Sequence, residues 1–136
     1  MVSAKEAEHI LRRIKDESAF RLHMGTNIRS LREMAEALDI MADKTYNHHV
    51  SDAKNDFSTW VKDVVGDEDL AKGIRHLRNK SVMARKVNSR IEELQNKMAE
   101  SHVTTKELMS MGAVDFVIGM IIGFIGGLVV ATLLAL

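Results

Sequence analysis

Residues Val114–Leu136 read VDFVIGMIIGFIGGLVVATLLAL, a run that is apolar except at Asp115 and Thr132. As a helix, this stretch is long enough to cross the ~30 Å hydrocarbon core of a bilayer. The alternative is a buried helix of a globular protein, but no other segment of the chain is comparably hydrophobic. The stretch therefore predicts a single C-terminal transmembrane helix, within an anchor segment at residues 105–136.

Glycines follow one face of this predicted helix. Gly119, Gly123 and Gly127 are spaced four residues apart, and Gly126 lies beside them. In lipid, helices associate through close packing, and glycine lets two backbones approach each other. Adaptation to lipid is the alternative explanation, because glycine is common in membrane helices generally. We expect this glycine face to contact another membrane helix, from a second copy of the chain or from a different protein.

The composition limits the kinds of chemistry that the chain can perform. It has 136 residues, no cysteine and a formal net charge of zero. The lack of cysteine excludes disulfides, zinc–thiolate sites and thiol nucleophiles. The N-terminal residues contain no signal-peptide pattern. These features predict a tail-anchored, single-pass membrane protein, and Lys97 and Lys106 favour a cytoplasmic N-terminal domain.

Residues 1–66 show the apolar spacing of a small helical domain. Ser3 and Glu6 form a capping-box pattern at the start of a first helix, which we expect to end near Glu17. The next stretch, Ser18–Gly25, alternates weakly between apolar and polar residues. It predicts either a short strand or an extended linker.

A second helix is predicted by apolar residues that recur every three or four positions. We expect Thr26 or Asn27 to cap it and expect it to run to Lys44. Thr45–Ser51 is then expected to be a turn.

A third helix is expected to follow this turn, with Ser51 or Asp52 as its cap. Phe57 and Trp60 lie on its apolar face and are predicted to be core residues. Gly66 is suited to the position just after the end of this helix.

Residues 67–104 are expected to form one long helix, with Asp67 as its N-cap. Its apolar and small residues follow a heptad-like pattern, and its length of about 50 Å exceeds what a small domain can cover. The helix is therefore either a stalk that contacts another chain or a helix that lies across the preceding three. The predicted stalk contacts are Val87, Ile91, Leu94 and Met98.

The same helix is predicted to carry a basic face, because no acidic residue occurs between Asp69 and Glu92. This face could be an ordinary solvated surface, or it could contact an acidic partner or anionic lipid headgroups. Nucleic acid is not an expected partner, because no aromatic residues for base stacking are interleaved with these basic residues. The basic face consists of Lys72, Arg75, Arg78, Lys80, Arg85, Lys86 and Arg90.

One group of polar residues surrounds the expected turn before the third helix: His48, His49, Asp52 and Asp56. Imidazole and carboxylate groups can ligate zinc or iron, but this spacing matches no common metal motif. We therefore expect His49 to pack or cap and Asp52 to cap. No metal, cofactor or catalytic residue is predicted, and a membrane-bound metal-binding sensor or enzyme remains the alternative.

Two stretches of sequence carry a pattern that suggests a family. The first runs from Phe20 to Leu38, and the second, more specific one runs from His49 to Ala71 as HVSDAKNDFSTWVKDVVGDEDLA. Through this second pattern, HVxxxKNDFxxWVxDV, the chain resembles an uncharacterised prokaryotic and archaeal family of small helical domains. The resemblance implies a helical domain and a prokaryotic origin, and it supplies no catalytic residues.

Together these features predict an all-α protein: a small helical bundle, a long stalk helix and a single C-terminal transmembrane helix. The favoured hypothesis is a non-enzymatic protein that acts in assembly, as a homo-oligomer or as an accessory, tethering subunit of a membrane complex. Its expected partners are the lipid bilayer and other membrane chains or further copies of itself. A pore-forming assembly, with Asp115 near its mouth, is a further alternative.

Overall fold

The computed structural model describes residues 2–23 and 25–101. This part of the chain is mostly helical and contains one small two-stranded sheet. Within these described residues, no helix is both long enough and apolar enough to cross a membrane. The predicted anchor at residues 105–136, together with its four glycines, lies outside them.

Helix α1 spans Ala4–Leu11 and begins as the sequence predicts. The Ser3 side chain accepts a hydrogen bond from the Glu6 backbone, and the Glu6 carboxylate accepts one from the Ser3 backbone. The predicted end near Glu17 is wrong, because the backbone becomes extended after Leu11. The extended segment carries Ile14 into the core, where it is buried.

A short antiparallel sheet follows a 3-10 turn at Asp16–Ser18. Strand β1 is Phe20–Arg21 and strand β2 is Asn27–Ile28, with Phe20 paired to Ile28. The sheet confirms the strand interpretation of this stretch. It also places Asn27 in a strand, so the prediction that Asn27 or its neighbour caps the second helix is wrong.

Two helices replace the single second helix that the sequence predicts. Helix α2 spans Leu31–Ile40 and is capped by Ser30, and helix α3 spans Asp43–His49, which includes most of the expected turn. Between them, Met41 has an extended backbone and a buried side chain. Its carbonyl accepts a hydrogen bond from Lys80 Nζ at 2.6 Å, so a distant contact stabilises the break.

Helix α4 spans Asp56–Trp60 and continues into a π-helical turn at Val61–Val65. Its N-cap is Asn55, not the two residues that the sequence suggests. The Asn55 side chain accepts from the α4 backbone and donates to the carbonyl of Ile74 at 2.9 Å, so it also joins α4 to the next helix. Gly66 ends the segment with a φ of 86°, as expected.

Helix α5 spans Glu68–Ile74, and Asp67 is its N-cap as predicted. The prediction of one continuous helix over residues 67–104 is wrong, because the chain is not helical at residues 77–79. Helix α6 then begins at residue 80 and continues to 101, the last described residue. The Asn79 side chain accepts a backbone hydrogen bond at the start of α6.

The residues that we expected to contact another chain lie in the core of their own chain. Val87, Ile91 and Leu94 are buried in the same cluster as Leu70 of α5, and Met98 packs against that cluster. The heptad-like pattern therefore arises because α5 and α6 both contribute to one core. The α-carbon contacts accordingly group Met1–Met98 into one compact unit.

Two glycines give a matched test of this fold. Gly66→Ala is expected to destabilise the unit by roughly 1–2 kcal/mol, because an alanine disfavours the left-handed backbone there. Gly73→Ala is expected to stabilise it by roughly 0.5–1 kcal/mol, because Gly73 lies inside α5. The added Cβ would lie 3.1 Å from Lys86 Cε, the flexible end of a side chain.

Urea unfolding, followed through the fluorescence of the single tryptophan, measures both changes. Equal effects of the two substitutions would contradict the assigned backbone conformation of Gly66.

Candidate functional site

His49 occupies the centre of the polar cluster between α3 and α4. Its side chain is buried, and Nδ1 lies 3.1 Å from Asp56 Oδ2. Its other ring nitrogen, Nε2, accepts a hydrogen bond from the backbone N–H of His23 at 2.9 Å. Because Nε2 is an acceptor, the ring is neutral and its proton is on Nδ1, which donates to Asp56. Both ring nitrogens are therefore engaged by the protein, as the packing interpretation expected.

The other members of the predicted metal region do not converge on His49. His48 stacks on His23, with ring centroids 4.0 Å apart and planes 12° apart. Metal–imidazole bonds lie in the plane of the ring, so two stacked, nearly parallel rings cannot share one metal ion. The Asp52 side chain is fully exposed and pairs with Arg78 at 3.7 Å. Across the described part of the chain, no group of three or more potential ligands is arranged to hold a metal.

Aromatic side chains surround the buried face of His49. Its ring centroid lies 4.9 Å from that of Phe20 and 5.5 Å from that of Phe57, and those two phenyl rings stack at 4.7 Å. Trp60 completes the group and donates from Nε1 to the carbonyl of Ser18 at 3.0 Å. Phe57 and Trp60 are core residues, as predicted.

Asp56 lies at the partly exposed edge of this cluster and forms an ion pair with Lys54, whose Nζ lies 2.8 Å from Asp56 Oδ2. Partial burial alone would raise the pKa of Asp56. Hydrogen bonds from Lys54 and His49, with the attraction of the lysine charge, outweigh that effect and hold the pKa below its ordinary value of 3.8. The carboxylate therefore stays ionised throughout the neutral and mildly acidic range.

This lowered pKa makes a prediction about acid stability. The ionised carboxylate stabilises the fold above its ordinary pKa of 3.8, and that contribution is lost as pH falls through the lower folded-state pKa. Asp56→Asn is therefore expected to be less stable than wild type near neutral pH, and the difference is expected to shrink below about pH 4. Urea unfolding of wild type and Asp56→Asn, near neutral pH and below about pH 4, measures the difference in stability.

The exposed Asp52→Asn serves as the control for that comparison and is expected to have little effect at either pH. A deficit of Asp56→Asn that is the same in acid and at neutrality would contradict the role given to the Asp56 charge.

Four of the seven residues of the predicted basic face are engaged in ion pairs. Among Lys72, Arg78 and Lys80, the side chain of Lys80 is the least exposed, and its ammonium also binds the Met41 carbonyl. These pairs reduce the positive charge that the face presents. Three of the pairs are Lys72–Glu68, Arg78–Asp52 and Lys80–Asp43.

The fourth ion pair joins Arg90 to Asp67, so the charge of Arg90 is not available on the basic face. Arg90 Nε and Nη2 lie 2.8 Å and 3.1 Å from the two oxygens of Asp67, whose side chain is 1% exposed. The same carboxylate caps α5 by accepting from the Leu70 backbone. The hydrogen bonds to Asp67 raise the pKa of the guanidinium above its ordinary value. Arg90, which also pairs with Glu93 at 2.9 Å, is thus a largely enclosed structural link between the start of α5 and the middle of α6.

The remaining basic residues, Arg75, Arg85 and Lys86, are exposed. Among residues 2–23 and 25–101, none of these three has an acidic partner within ion-pair distance. They are the part of the predicted basic face that is available to a partner.

Sequence reasoning missed His23 and Phe20 as members of the histidine cluster. Both lie on or beside a strand that is distant in sequence from His49, and the partner of His49 is a backbone N–H, which any residue provides. The weak alternation around Phe20 was the one local signal that this segment packs on the core.

Comparisons with known proteins give no match: no protein family, curated protein or solved structure resembles this chain significantly. The family resemblance noted from the sequence pattern therefore stays a prediction.

Proposed function

We propose that this chain is a membrane-anchored helical protein whose role is assembly rather than catalysis. The observation that carries the proposal is the apolar run Val114–Leu136, which has the length of a bilayer-spanning helix. In this proposal the run anchors the helical unit to the membrane, with that unit on the cytoplasmic side. The glycines of the run bind a neighbouring membrane helix, from a second copy or from a larger complex.

The contacts of the histidine cluster support assembly over the metal-binding alternative. Both ring nitrogens of His49 already bind protein groups, and His48 stacks on His23. A metal ion would have to displace these contacts and recruit Asp52 from solvent. The proposal therefore includes no catalytic or metal-binding residue.

The burial of the expected stalk contacts narrows the surface that a partner can use. Because Val87, Ile91 and Leu94 pack inside their own chain, α6 does not offer them to another protein. We therefore assign association to the glycine face of the anchor.

The exposed basic residues add a second attraction to the membrane in this proposal. Arg75, Arg85 and Lys86 contribute attraction to anionic headgroups, which is worth ~1 kcal/mol for each basic residue near the surface.

Gly123→Ile tests the association directly. A β-branched side chain at the centre of the glycine face separates the two backbones, so we expect self-association or partner binding in mild detergent to weaken by about tenfold or more. Sedimentation and native mass spectrometry of the purified complex measure its mass and composition.

Val129→Phe is the matched control, because it adds bulk at a position off the glycine face at helical spacing. It is expected to leave the complex intact. A complex that survives Gly123→Ile unchanged would contradict the glycine contact.

A further inference from the structure

We propose that a cavity between residues 52–55, just before α4, and residues 75–78, between α5 and α6, binds a phosphate group. Its volume is about 130 Å³, and two members of the basic face, Arg75 and Arg78, line it together with Lys54. The inference concerns the helical unit and does not depend on the proposed anchor, because a phosphate ion in solution can test it.

Hydrogen bonds hold the two walls of this cavity together. Asn55 is 7% exposed, and its side-chain amide donates to the carbonyls of Ile74 and Arg75 at 2.9 Å and 3.3 Å. Arg78 crosses in the opposite direction and donates from Nη2 to the Asp52 carbonyl at 3.4 Å. The walls are therefore in place before a ligand binds, which lowers the cost of binding.

Positive charge exceeds negative charge in the lining. Lys54, Arg75 and Arg78 contribute cations, and Asp52 contributes a carboxylate. Because Lys54 is partly neutralised by its ion pair with Asp56, the two arginines supply most of the excess. The planar guanidinium of arginine presents several N–H donors in a geometry that matches the oxygens of a phosphate group.

Both arginines can take up a further anion. Arg75 is exposed, and within the described part of the chain no acidic side chain lies within ion-pair distance of it. Arg78 Nε lies 3.7 Å from Oδ1 of Asp52, whose side chain is fully exposed. Exposed ion pairs of this kind are weak, because water and salt screen the two charges. A phosphate group can therefore replace the Asp52 carboxylate beside Arg78.

The size of the cavity limits the ligand to a small group. Pockets that enclose whole drug-sized molecules have volumes of roughly 300–1,000 Å³, well above the volume of this cavity. One tetrahedral anion is suited to the space, while the rest of a larger molecule would lie outside it. The phosphate can belong to a soluble compound or to the headgroup of an anionic lipid.

Titration of the full chain in a maltoside detergent, which contains no phosphate, tests the site at constant pH and ionic strength. The NMR signals of the Ala53 and His76 amides report binding, because both residues line the cavity. We expect these signals to shift along one saturating curve, while the amide of Ala35, buried in α2, keeps its position.

Two arms of this titration distinguish the sources of the phosphate. The first arm uses inorganic phosphate, and the second uses phosphatidate added to the micelles. Saturation in the first arm alone identifies a soluble phosphate compound as the ligand, and saturation with phosphatidate identifies a lipid headgroup. The absence of a saturable shift in both arms would overturn the proposal.

Arg75→Gln tests the contribution of the cavity, because this exposed residue can change without loss of a contact in the core. It is expected to weaken phosphate binding by about tenfold or more. Arg85→Gln removes the same charge from an exposed residue outside the cavity, and it is expected to weaken binding by less than about twofold, because salt screens distant charges. Equal weakening by both variants would indicate only general attraction and would overturn the proposal.

Asp52→Asn is expected to act in the opposite direction. It removes the carboxylate that competes for Arg78, so phosphate binding should become about threefold tighter or more. Asp39→Asn, which removes the same charge from an exposed position of α2, is the control and should leave binding nearly unchanged. Binding that is weaker or unchanged in Asp52→Asn would overturn the assignment of this cavity.

Discussion

Arg90→Ala is expected to destabilise the helical unit by about 3–5 kcal/mol, because it leaves the buried carboxylate of Asp67 without its counter-ion. Arg90 binds both oxygens of that carboxylate, and its own side chain is only 10% exposed. Removal of one member of a buried ion pair costs far more than removal of an exposed pair, since the remaining charge stays desolvated.

Asp67→Asn separates the two roles of that carboxylate. The amide oxygen can still accept from the Leu70 backbone and cap α5. The substitution removes the charge of Asp67, while Arg90 keeps its ion pair with Glu93 at 2.9 Å. The double variant is expected to lose less stability than the sum of the two single losses, because both single substitutions remove the same contact between Asp67 and Arg90.

Lys86→Ala is the control for this series, since Lys86 lies one turn before Arg90 on α6 and is exposed. It is expected to change stability by no more than about 0.5 kcal/mol. Urea unfolding of the chain in mild detergent, reported by Trp60 fluorescence, measures all four variants. If Arg90→Ala were as mild as Lys86→Ala, the buried ion pair would have no structural role.

Phe57→Ala is expected to have an effect of similar size, about 3–5 kcal/mol. Phe57 is 0% exposed, and its ring packs between those of Phe20, Tyr46 and His49. Truncation to alanine removes these contacts and leaves a cavity where the β1–β2 sheet, α3 and α4 meet. The surrounding backbone is held by hydrogen bonds, such as that of Asn55 to the Ile74 carbonyl, so it relaxes only partly into the space.

Ile40→Ala is the control for the Phe57 substitution, because Ile40 is the large hydrophobic residue that is 86% exposed. Its loss is expected to change stability by less than about 0.5 kcal/mol. A Phe57→Ala variant that unfolded at the same urea concentration as wild type would contradict the assigned core.

Local signals in the sequence predicted several features of the fold correctly. The capping box of Ser3 and Glu6, the cap at Asp67 and the left-handed Gly66 each depend on residues within one turn of the chain. The apolar spacing also predicted that Phe57 and Trp60 are buried. These signals need no knowledge of the tertiary structure.

The breaks between helices were not predictable in the same way. The chain leaves α2 at Met41 and α5 after Ile74 without a glycine or proline at either position. Each break is stabilised from far away, by Lys80 at the Met41 carbonyl and by Asn55 at the Ile74 carbonyl. A heptad-like spacing fits one long helix as well as two helices that share a core.

The contact partners of Arg90 and His49 could not be predicted from the sequence for a related reason. Arg90 belongs to a run of basic residues, so its sequence neighbours suggested an exposed face, while its partner Asp67 lies 23 positions away. The partner of His49 is a backbone N–H 26 positions away. Such pairings depend on the tertiary fold, and no local pattern encodes them.

The central claim, that the chain is anchored in a membrane by Val114–Leu136, is tested most directly by alkaline extraction of membranes that contain the full chain. We predict that the full chain stays with the lipid, while a variant that ends at Ala113 is released with its helical unit folded. Release of the full chain into the aqueous fraction, together with the shortened variant, would contradict the account.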